Sequence, residues 1–227
     1  MQRKSVQRKS VQRKSGKKAP SNQGSKGSLI RIIGGQWKRT PLPVLDAEGL
    51  RPTPDRVRET VFNWLNHQLE GDWNGVACLD LFAGTGALGF EAASRGAGRV
   101  VMVEQNTPAL RQLEATKAKL NAEQVSVVRG DAFAVAQEMT RRDDRFDVIF
   151  LDPPYHHDWL ARVLPLCERL LAPGGLVYAE SEMPLDAALD TDTPPDWLAA
   201  WNVVRADKAG MVFYHLLQRK SDPEFQA

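Results

Sequence analysis

The stretch Phe146-Asp147-Val148-Ile149-Phe150-Leu151-Asp152-Pro153-Pro154-Tyr155 decides the fold class. Five of its first six residues are apolar, which predicts a short buried strand, and the two prolines end that strand. A carboxylate, a rigid turn and an aromatic ring follow directly. Because ligands of open α/β sheets bind beyond the carboxyl ends of the strands, this exit is a candidate site. Taken alone, it is equally compatible with an ordinary strand end.

The same alternation of strand, turn and helix runs through the chain from residue 76 onward. Strands are predicted at 76–82, 99–104, 124–128, 146–151 and 176–180, and helices at 87–95, 107–120, 132–139 and 159–171. A loop at 183–196, which leaves open a helical turn, precedes two closing strands, at 201–206 and 211–217, which flank a turn at 208–210. The pattern predicts an α/β, Rossmann-like fold of seven strands, mostly parallel, with an antiparallel terminal hairpin.

The N-terminal part of the chain has a different character. Residues 1–28 open with three Gln-Arg-Lys-Ser repeats and hold few apolar side chains, so we predict a disordered basic tail. Residues 29–71 predict a small extension, made of a hairpin that turns at Gly34-Gly35 and a helix capped by Thr53 with Pro54 at its first position. Residues 72–227 then form the main domain.

Charge is distributed unevenly along the 227 residues. Residues 1–39 hold 12 Lys and Arg and no acid, which leaves 18 Lys and Arg against all 28 Asp and Glu. A basic arm on an acidic body indicates a polyanionic partner, most often nucleic acid, although a neutral extension and a targeting peptide remain alternatives for the tail.

Cellular location is constrained by what the sequence lacks. The two cysteines, Cys78 and Cys167, form neither a disulfide framework nor a zinc spacing, which fits a reducing cytoplasm. No apolar run approaches the ~20 residues that span a bilayer, and the N-terminus lacks the apolar core of a secretory signal. Adjacent His156 and His157 rarely bind one ion together, so we expect no metal site.

The glycine-rich turn after the first strand of the main domain predicts a nucleotide-like cofactor. Residues 84–89 match the dinucleotide fingerprint, and Glu104 lies where a ribose-binding acid is expected. Asp80, at the end of the same strand, would repel a pyrophosphate and favours the cationic S-adenosylmethionine (SAM) over NAD. Asp131 is expected at the adenine edge, with a helix start as the alternative. The predicted cofactor-binding residues are Asp80, Phe82, Ala83, Gly84, Thr85, Gly86, Glu104, Gln105, Asp131 and Ala132.

With SAM at this edge, Asp152-Pro153-Pro154-Tyr155 falls beside the methyl group. The segment resembles the Asp/Asn-Pro-Pro-Tyr/Phe signature of methyltransferases that act on exocyclic amines of adenine, guanine or glutamine. Such an amine is a poor nucleophile because its lone pair is delocalised into the ring. Asp152 and the Pro153 carbonyl would accept its two N–H bonds, and Tyr155 would stack on a flipped base. Asp152, Pro153, Pro154 and Tyr155 are the predicted catalytic residues.

Three further blocks make a family resemblance specific. Residues 31–37, 50–64 and 79–89 resemble the bacterial 16S ribosomal RNA guanine-N2 methyltransferases of the RsmD type, and 103–106 and 208–210 fit that family too. The match spans residues 29–219 and excludes the repeats of the tail. It implies a SAM-dependent enzyme that methylates N2 of one guanine in 16S ribosomal RNA of the small subunit, in an assembled or nearly assembled particle.

The N-terminal extension carries the predicted RNA contacts. Cations beside an aromatic ring suit a nucleic-acid surface, with a solvated hairpin and one packed Trp as the alternative. Cations at a helix start suggest an anionic partner, with a solvated basic turn as the alternative. We expect contacts from Arg31, Trp37, Lys38, Arg39, Arg51, Thr53 and Arg56, and a monomeric protein. Other functional hypotheses are a DNA adenine-N6 methyltransferase, a catalytically silent RNA-binding assembly factor and, more remotely, an NAD dehydrogenase.

Overall fold

The computed structural model describes residues 29–44, 53–155 and 157–221. The predicted disordered tail and the predicted RNA contact of Arg51 therefore lie outside the described residues. In chain order the elements are β1 (Leu29–Arg31), β2 (Pro41–Pro43), α1 (Asp55–Gln68), β3 (Ala77–Asp80), α2 (Ala87–Arg95), β4 (Arg99–Glu104), α3 (Thr107–Leu120), β5 (Val125–Arg129), α4 (Ala132–Arg141), β6 (Phe146–Leu151), α5 (Trp159–Leu170), β7 (Leu171–Ser181), α6 (Leu185–Leu189), β8 (Trp201–Ala209) and β9 (Val212–Arg219).

The main sheet has seven strands in the order β5-β4-β3-β6-β7-β9-β8. The first five run parallel to one another, whereas β9 is antiparallel to both β7 and β8. The carboxyl ends of β3, β4, β6 and β7 therefore meet at one edge of the sheet. This arrangement confirms the predicted seven-stranded α/β fold and brings the residues that follow these strands together.

Apolar helix faces cover both sides of this sheet. Helices α1, α2 and α3 share one buried cluster with alternate residues of β6, such as Val148 and Phe150. Helices α4, α5 and α6 pack on the other face, against Ile149 and Leu151. Residues of opposite parity on β6 thus enter opposite cores, as expected for a strand buried on both sides. Through Phe62, whose ring lies 5.8 Å from that of Phe150, α1 packs directly on the sheet.

Several element boundaries differ from the sequence prediction. The predicted turn at 208–210 is wrong, because Ala209 pairs with Val212 and leaves a two-residue turn at Gly210-Met211. Strand β7 begins at Leu171, five residues before the predicted strand at 176–180, and its pairing with β6 is irregular around Pro173-Gly174-Gly175. The predicted loop at 183–196 contains α6, which buries Leu185.

The N-terminal hairpin exists, but its predicted turn is wrong. Strands β1 and β2 pair antiparallel, with Ile30 opposite Leu42, so residues 32–40 link them rather than a Gly34-Gly35 turn. Gly35 instead lies against α2 with φ +70°, where an added Cβ would stand 1.8 Å from the carbonyl oxygen of Ser94. The glycine is therefore required by a close tertiary contact and not by a hairpin turn.

Buried polar groups of α2 hold this linking segment. The carboxylate of the fully buried Glu91 accepts hydrogen bonds from the backbone N–H groups of Ile33, at 2.6 Å, and Gly34, at 2.8 Å. The Ser94 hydroxyl donates to the Gly34 carbonyl at 2.6 Å. Backbone groups of the extension thus replace water as partners of a buried carboxylate, which ties the extension to the main domain.

We predict that Gly35→Ala lowers the free energy of unfolding by at least ~2 kcal/mol more than Gly174→Ala does. Both glycines have positive φ, but an added Cβ at Gly174 meets nothing within 4 Å, so only Gly35→Ala must displace neighbouring backbone. Urea unfolding of the two variants and the parent protein measures the difference. Equal losses would contradict the close contact with Ser94.

Candidate active site

A cavity of about 250 Å³ opens at the carboxyl edge of the sheet, beyond β3, β4 and β6. Twelve of the predicted cofactor and catalytic residues line it: Asp80, Phe82, Ala83, Gly84, Thr85, Glu104, Gln105, Ala132, Asp152, Pro153, Pro154 and Tyr155. Gly86 and Asp131 do not line it. Segments that are distant in sequence thus converge on one cavity, and Thr53 joins them from the N-terminal extension.

Asp80 supplies a buried acceptor at the base of this cavity. Its side chain is 1% exposed, and Oδ2 accepts a hydrogen bond from the Gly89 N–H at 3.1 Å. Oδ1 is buried and has no hydrogen-bond partner among the described residues. Burial raises the pKa of Asp80 to about 7, and the nearby backbone N–H groups of Gly89 and Phe82 oppose that shift. An unpaired buried carboxylate oxygen that lines a cavity is suited to a cationic donor, such as an ammonium group.

Gly86 lies in the turn between β3 and α2 and does not line the cavity itself. It precedes α2 with φ +77°, and an added Cβ would lie 2.6 Å from the Phe90 ring and 2.7 Å from Leu113. Its role is thus to let the chain turn tightly from β3 into α2. This turn leaves the backbone of Gly84 and Thr85 at the cavity wall, where a ligand can approach it.

Glu104 connects the glycine-rich turn to the end of β4. Its Oε2 accepts from the Gly84 N–H at 2.8 Å, and its Oε1 accepts from the Asn106 N–H at 2.6 Å. Each oxygen keeps a second lone pair, so the carboxylate can still accept hydroxyl groups from the cavity. Asp131 instead caps α4 by accepting from the Ala134 N–H at 3.0 Å, which is the helix-start alternative. Its contact with adenine stays a prediction.

Asp152 lies in a cluster that sequence reasoning did not identify. Thr53 Oγ1 is 2.9 Å from Asp152 Oδ2 and 2.8 Å from Glu180 Oε1, and the Tyr178 hydroxyl donates to the same Glu180 oxygen at 2.8 Å. Thr53 and Glu180 are only 4% and 3% exposed. The prediction that Thr53 caps α1 is wrong, because Pro54 holds that position without a side-chain bond. A polar residue at the end of an apolar strand was the available signal for Glu180.

Burial governs the electrostatics of this cluster. It raises the pKa of Asp152 well above the usual range, and the nearby Glu180 carboxyl raises it further. Burial also raises the pKa of Glu180, although hydrogen bonds from Tyr178, Thr53 and Asp152 oppose that shift. The two carboxyl groups therefore resist simultaneous ionisation.

An aromatic rim that the sequence did not reveal borders the cavity. Trp159, at the start of α5, lines the cavity and meets the ring of Phe82 edge-on at 5.4 Å. The Arg162 guanidinium lies 4.4 Å from the centre of the Trp159 ring and 5.0 Å from that of Phe133. Such a rim offers flat surfaces and one stacked cation near the mouth of the cavity.

The predicted RNA contacts of the extension occupy varied surroundings. Lys38, Arg39 and Arg56 are exposed, and Arg31 is exposed but forms an ion pair with Asp55 at 3.0 Å. Trp37 is half-buried and packs against the core, as the alternative interpretation expected. Thr53 faces the cavity and is buried. The exposed residues among the described RNA-contact predictions are therefore all Lys or Arg.

Neither a metal-binding cluster nor a membrane-spanning helix is present among the described residues. Within 29–44, 53–155 and 157–221, no group of three or more His, Cys, Asp or Glu side chains could hold a metal ion. No helix in the same part of the chain is long and apolar enough to cross a membrane.

Known proteins resemble the chain over nearly all of this region. The model of the family described as Conserved hypothetical protein 95 matches residues 30–218. Ribosomal RNA small subunit methyltransferase D of Escherichia coli strain K12 is 39% identical over 212 residues, which cover 92% of this chain and 99% of that protein.

Solved structures agree with this match. The yhhF protein of Escherichia coli superposes with a TM-score of 0.70 at 37% identity, over 86% of this chain and 100% of that one. A SAM-dependent methyltransferase of Agrobacterium tumefaciens shares the fold, with a TM-score of 0.52 at 21% identity, over 66% of this chain and 52% of that one. The methyltransferase fold and the SAM cofactor predicted from the sequence are thereby confirmed. The chain belongs to the Conserved hypothetical protein 95 family, together with the ribosomal RNA small subunit methyltransferase D proteins that it resembles along almost their whole length.

Proposed function

We propose that the protein transfers a methyl group from SAM to the exocyclic N2 of one guanine in 16S ribosomal RNA. The observation that carries this proposal is the placement of Asp80 and Asp152 in a single cavity, with the Asp152-Pro153-Pro154-Tyr155 segment beside the glycine-rich turn. Identity of 39% to a small-subunit ribosomal RNA methyltransferase supports the choice of substrate. The partner is then 16S ribosomal RNA in the small subunit or its assembly intermediate, and the protein acts in the cytoplasm.

The residues of β3, β4 and the glycine-rich turn fit SAM. Asp80 Oδ1, buried without a partner among the described residues, would accept the ammonium of its amino-acid part. Glu104 would accept the ribose hydroxyls with its remaining lone pairs, and Gly84 would lie beside the amino-acid part. When bound, SAM supplies an electrophilic methyl group on a positively charged sulfur.

Asp152 and its neighbours would prepare the acceptor amine. A carboxylate oxygen of Asp152 and the Pro153 carbonyl would accept its two N–H bonds, which directs the nitrogen lone pair away from them and toward the methyl group. Pro153 and Pro154 keep this turn rigid. Tyr155, which lines the cavity, would stack on the flipped base.

Exposed cations would hold the RNA around this cavity. Lys38 and Arg39 follow the segment that docks on α2. Arg56 lies in the first turn of α1, three residues after Thr53, whose hydroxyl contacts Asp152. Contacts with phosphates supply affinity that depends on salt, whereas the cavity selects the base. The basic residues 1–28 would add to the electrostatic attraction.

The decisive test incubates the protein with isotopically labelled SAM and methyl-deficient 30S particles, naked 16S RNA or DNA, and identifies the labelled nucleoside. We expect N2-methylguanosine from the ribosomal substrate. Asp152→Ala should reduce transfer at least ~100-fold while calorimetric SAM affinity stays within about threefold, because the residue acts on the amine. Label in N6-methyladenine would show a DNA or RNA adenine enzyme, and no label in any substrate would favour a binding protein.

SAM affinity should depend on pH through Asp80. Because burial raises its pKa to about 7, the carboxylate is increasingly protonated below that pH and loses its attraction for an ammonium group. The dissociation constant should rise as pH falls from 7.5 to 5.5, approaching tenfold per unit at the acidic end. Asp80→Asn should bind SAM weakly without this dependence, and 5′-methylthioadenosine, which has no ammonium, serves as control ligand.

The stability of the Asp80→Asn variant separates loss of binding from loss of folding. A folded pKa above the unfolded one favours the neutral form, so the stability that Asp80 contributes is present at low pH and is lost as pH rises through about 7. The cofactor-free variant should therefore be at least as stable as the parent at pH 8 in urea. A pH-independent SAM affinity in the parent protein would contradict the assigned role.

Removing two exposed cations of the extension should weaken RNA binding with little effect on SAM. Lys38→Gln with Arg39→Gln should lower affinity roughly threefold to tenfold at 0.1 M salt and reduce the salt slope by about 1 to 2. Arg141→Gln with Arg142→Gln removes the same charge from the exposed end of α4, at the opposite edge of the sheet, and is the matched control. Equal losses in both double variants would leave no specific role for Lys38 and Arg39.

A further inference from the structure

We propose that Glu180 is the second carboxyl group of the catalytic centre and shares one proton with Asp152 through the hydroxyl of Thr53. In the free protein the shared proton lies on Asp152, and it passes through the Thr53 hydroxyl to Glu180 when the substrate amine binds, so that Asp152 is then ionised and accepts the N–H groups of the amine. The proposal rests on the proposed function, since it gives Glu180 and Thr53 positioning roles in that reaction. Neither residue was identified as catalytic from the sequence.

The sheet register places the two carboxyl groups side by side. Leu151 of β6 pairs with Ala179 of β7, so the next residues along the two parallel strands are Asp152 and Glu180. Thr53 approaches this pair from the segment before α1 and contacts both, at 2.9 Å and 2.8 Å. Each of the two carboxyl groups also alters the pKa of the other.

A count of protons shows that two ionised carboxylates do not fit these contacts. The Thr53 hydroxyl has one hydrogen and can donate to only one of its two carboxyl partners. The Tyr178 hydroxyl is already used as a donor to Glu180 Oε1. If both carboxyl groups were ionised, one of the two contacts of Thr53 would bring together two oxygen atoms with no hydrogen between them. One additional proton, on the Asp152 oxygen that faces Thr53, supplies the missing hydrogen, because the Thr53 hydroxyl then donates to Glu180 Oε1.

The surroundings favour the same protonation state. Asp80, on the neighbouring β3, adds negative charge to the site, and burial raises the pKa of both Asp152 and Glu180. Tyr178 and Tyr214 contribute neutral hydroxyls from β7 and β9, because burial raises the pKa of each. The buried cation of α1, Arg58, pairs with Asp55 at 2.6 Å.

The shared proton gives each carboxyl group a distinct task. As the new N–C bond forms, the bond between the methyl carbon and the sulfur of SAM would break, with its electron pair left on sulfur. The exocyclic nitrogen becomes positively charged, and one of its N–H bonds turns strongly acidic. That bond breaks with its electron pair left on nitrogen, and the proton forms an O–H bond with Asp152. The pair changes from one negative charge with one proton to a neutral state with two protons. One proton then passes to water when the product leaves, which restores the starting state.

Glu180→Gln tests the pair through the pH dependence of transfer. The amide keeps the shape of the side chain but removes the second acid, so the pKa of Asp152 should fall. In single-turnover assays the acidic limb of the rate profile should move to lower pH by about one unit or more relative to the parent. A loss of rate that is uniform across pH, or an unchanged profile, would overturn the proposal.

Thr53 variants provide a second test that does not alter a carboxyl group. Thr53→Ser keeps the bridging hydroxyl and should transfer methyl within about threefold of the parent rate. Thr53→Val keeps the shape without the hydroxyl and should lower kcat at least ~10-fold, with KM for SAM little changed. Equal activity of the Val and Ser variants would show that the hydroxyl does not connect the pair.

A direct titration separates this proposal from the proposed function. In cofactor-free protein carrying ¹³C-labelled carboxyl groups, with signals assigned by Asp152→Asn and Glu180→Gln, one proton should remain on the pair at pH 6. Ordinary titration of both groups near pH 4 would overturn the shared proton, whatever the enzyme methylates. If the parent protein does not methylate guanine in RNA, the proposed function fails, while the titration still decides the state of the pair.

Discussion

The active-site edge depends on one electrostatic constraint: three parallel strands bring carboxyl groups to a single buried place. Asp80 pairs in register with Phe150, and Asp152 lies two residues further along β6 beside Glu180 of β7. Burial disfavours the ionised form of each group, and the groups repel one another. Such an arrangement is unfavourable for folding in isolation, so it is compatible only with bound protons, hydroxyl donors or a cationic ligand.

The N-terminal extension supplies one of the hydroxyl donors that these buried carboxyl groups require. It brings the Thr53 hydroxyl to Asp152 and Glu180, across 99 and 127 residues of sequence. A second buried carboxylate, Glu91, binds the backbone of the linking segment between β1 and β2. The extension is therefore attached through buried acids of the main domain, and one of its residues completes the cavity. In the proposed function, RNA contact and active-site geometry are thus linked through the same short segment.

Sequence patterns predicted what is local and missed what depends on tertiary contact. The strands, the helices and the convergence of Asp80 with Asp152 followed from periodicity and from the geometry of parallel sheets. Gly34-Gly35 was misassigned as a hairpin turn because the dipeptide is typical of turns, whereas Gly35 is needed where the backbone meets Ser94. Thr53 before Pro54 matched a capping pattern, and Glu180 ended an apolar run without any local sign of its partner. The proximity of Glu180 to Asp152 depends on the register of β6 with β7, which no short window of sequence contains.

The charge of the cavity also explains why a dinucleotide fingerprint does not imply a dinucleotide here. The same glycine-rich turn would admit a pyrophosphate in a neutral or positive site. Here Asp80 ends the strand before the turn, and its buried Oδ1 has no hydrogen-bond partner among the described residues. A cationic cofactor would neutralise that oxygen, and in the proposed reaction the positive charge that develops on the acceptor nitrogen would lie beside Asp152 and Glu180. The acidic edge would therefore stabilise positive charge both before and during that reaction. Its preference for cations arises from the placement of carboxyl groups and not from the glycine motif.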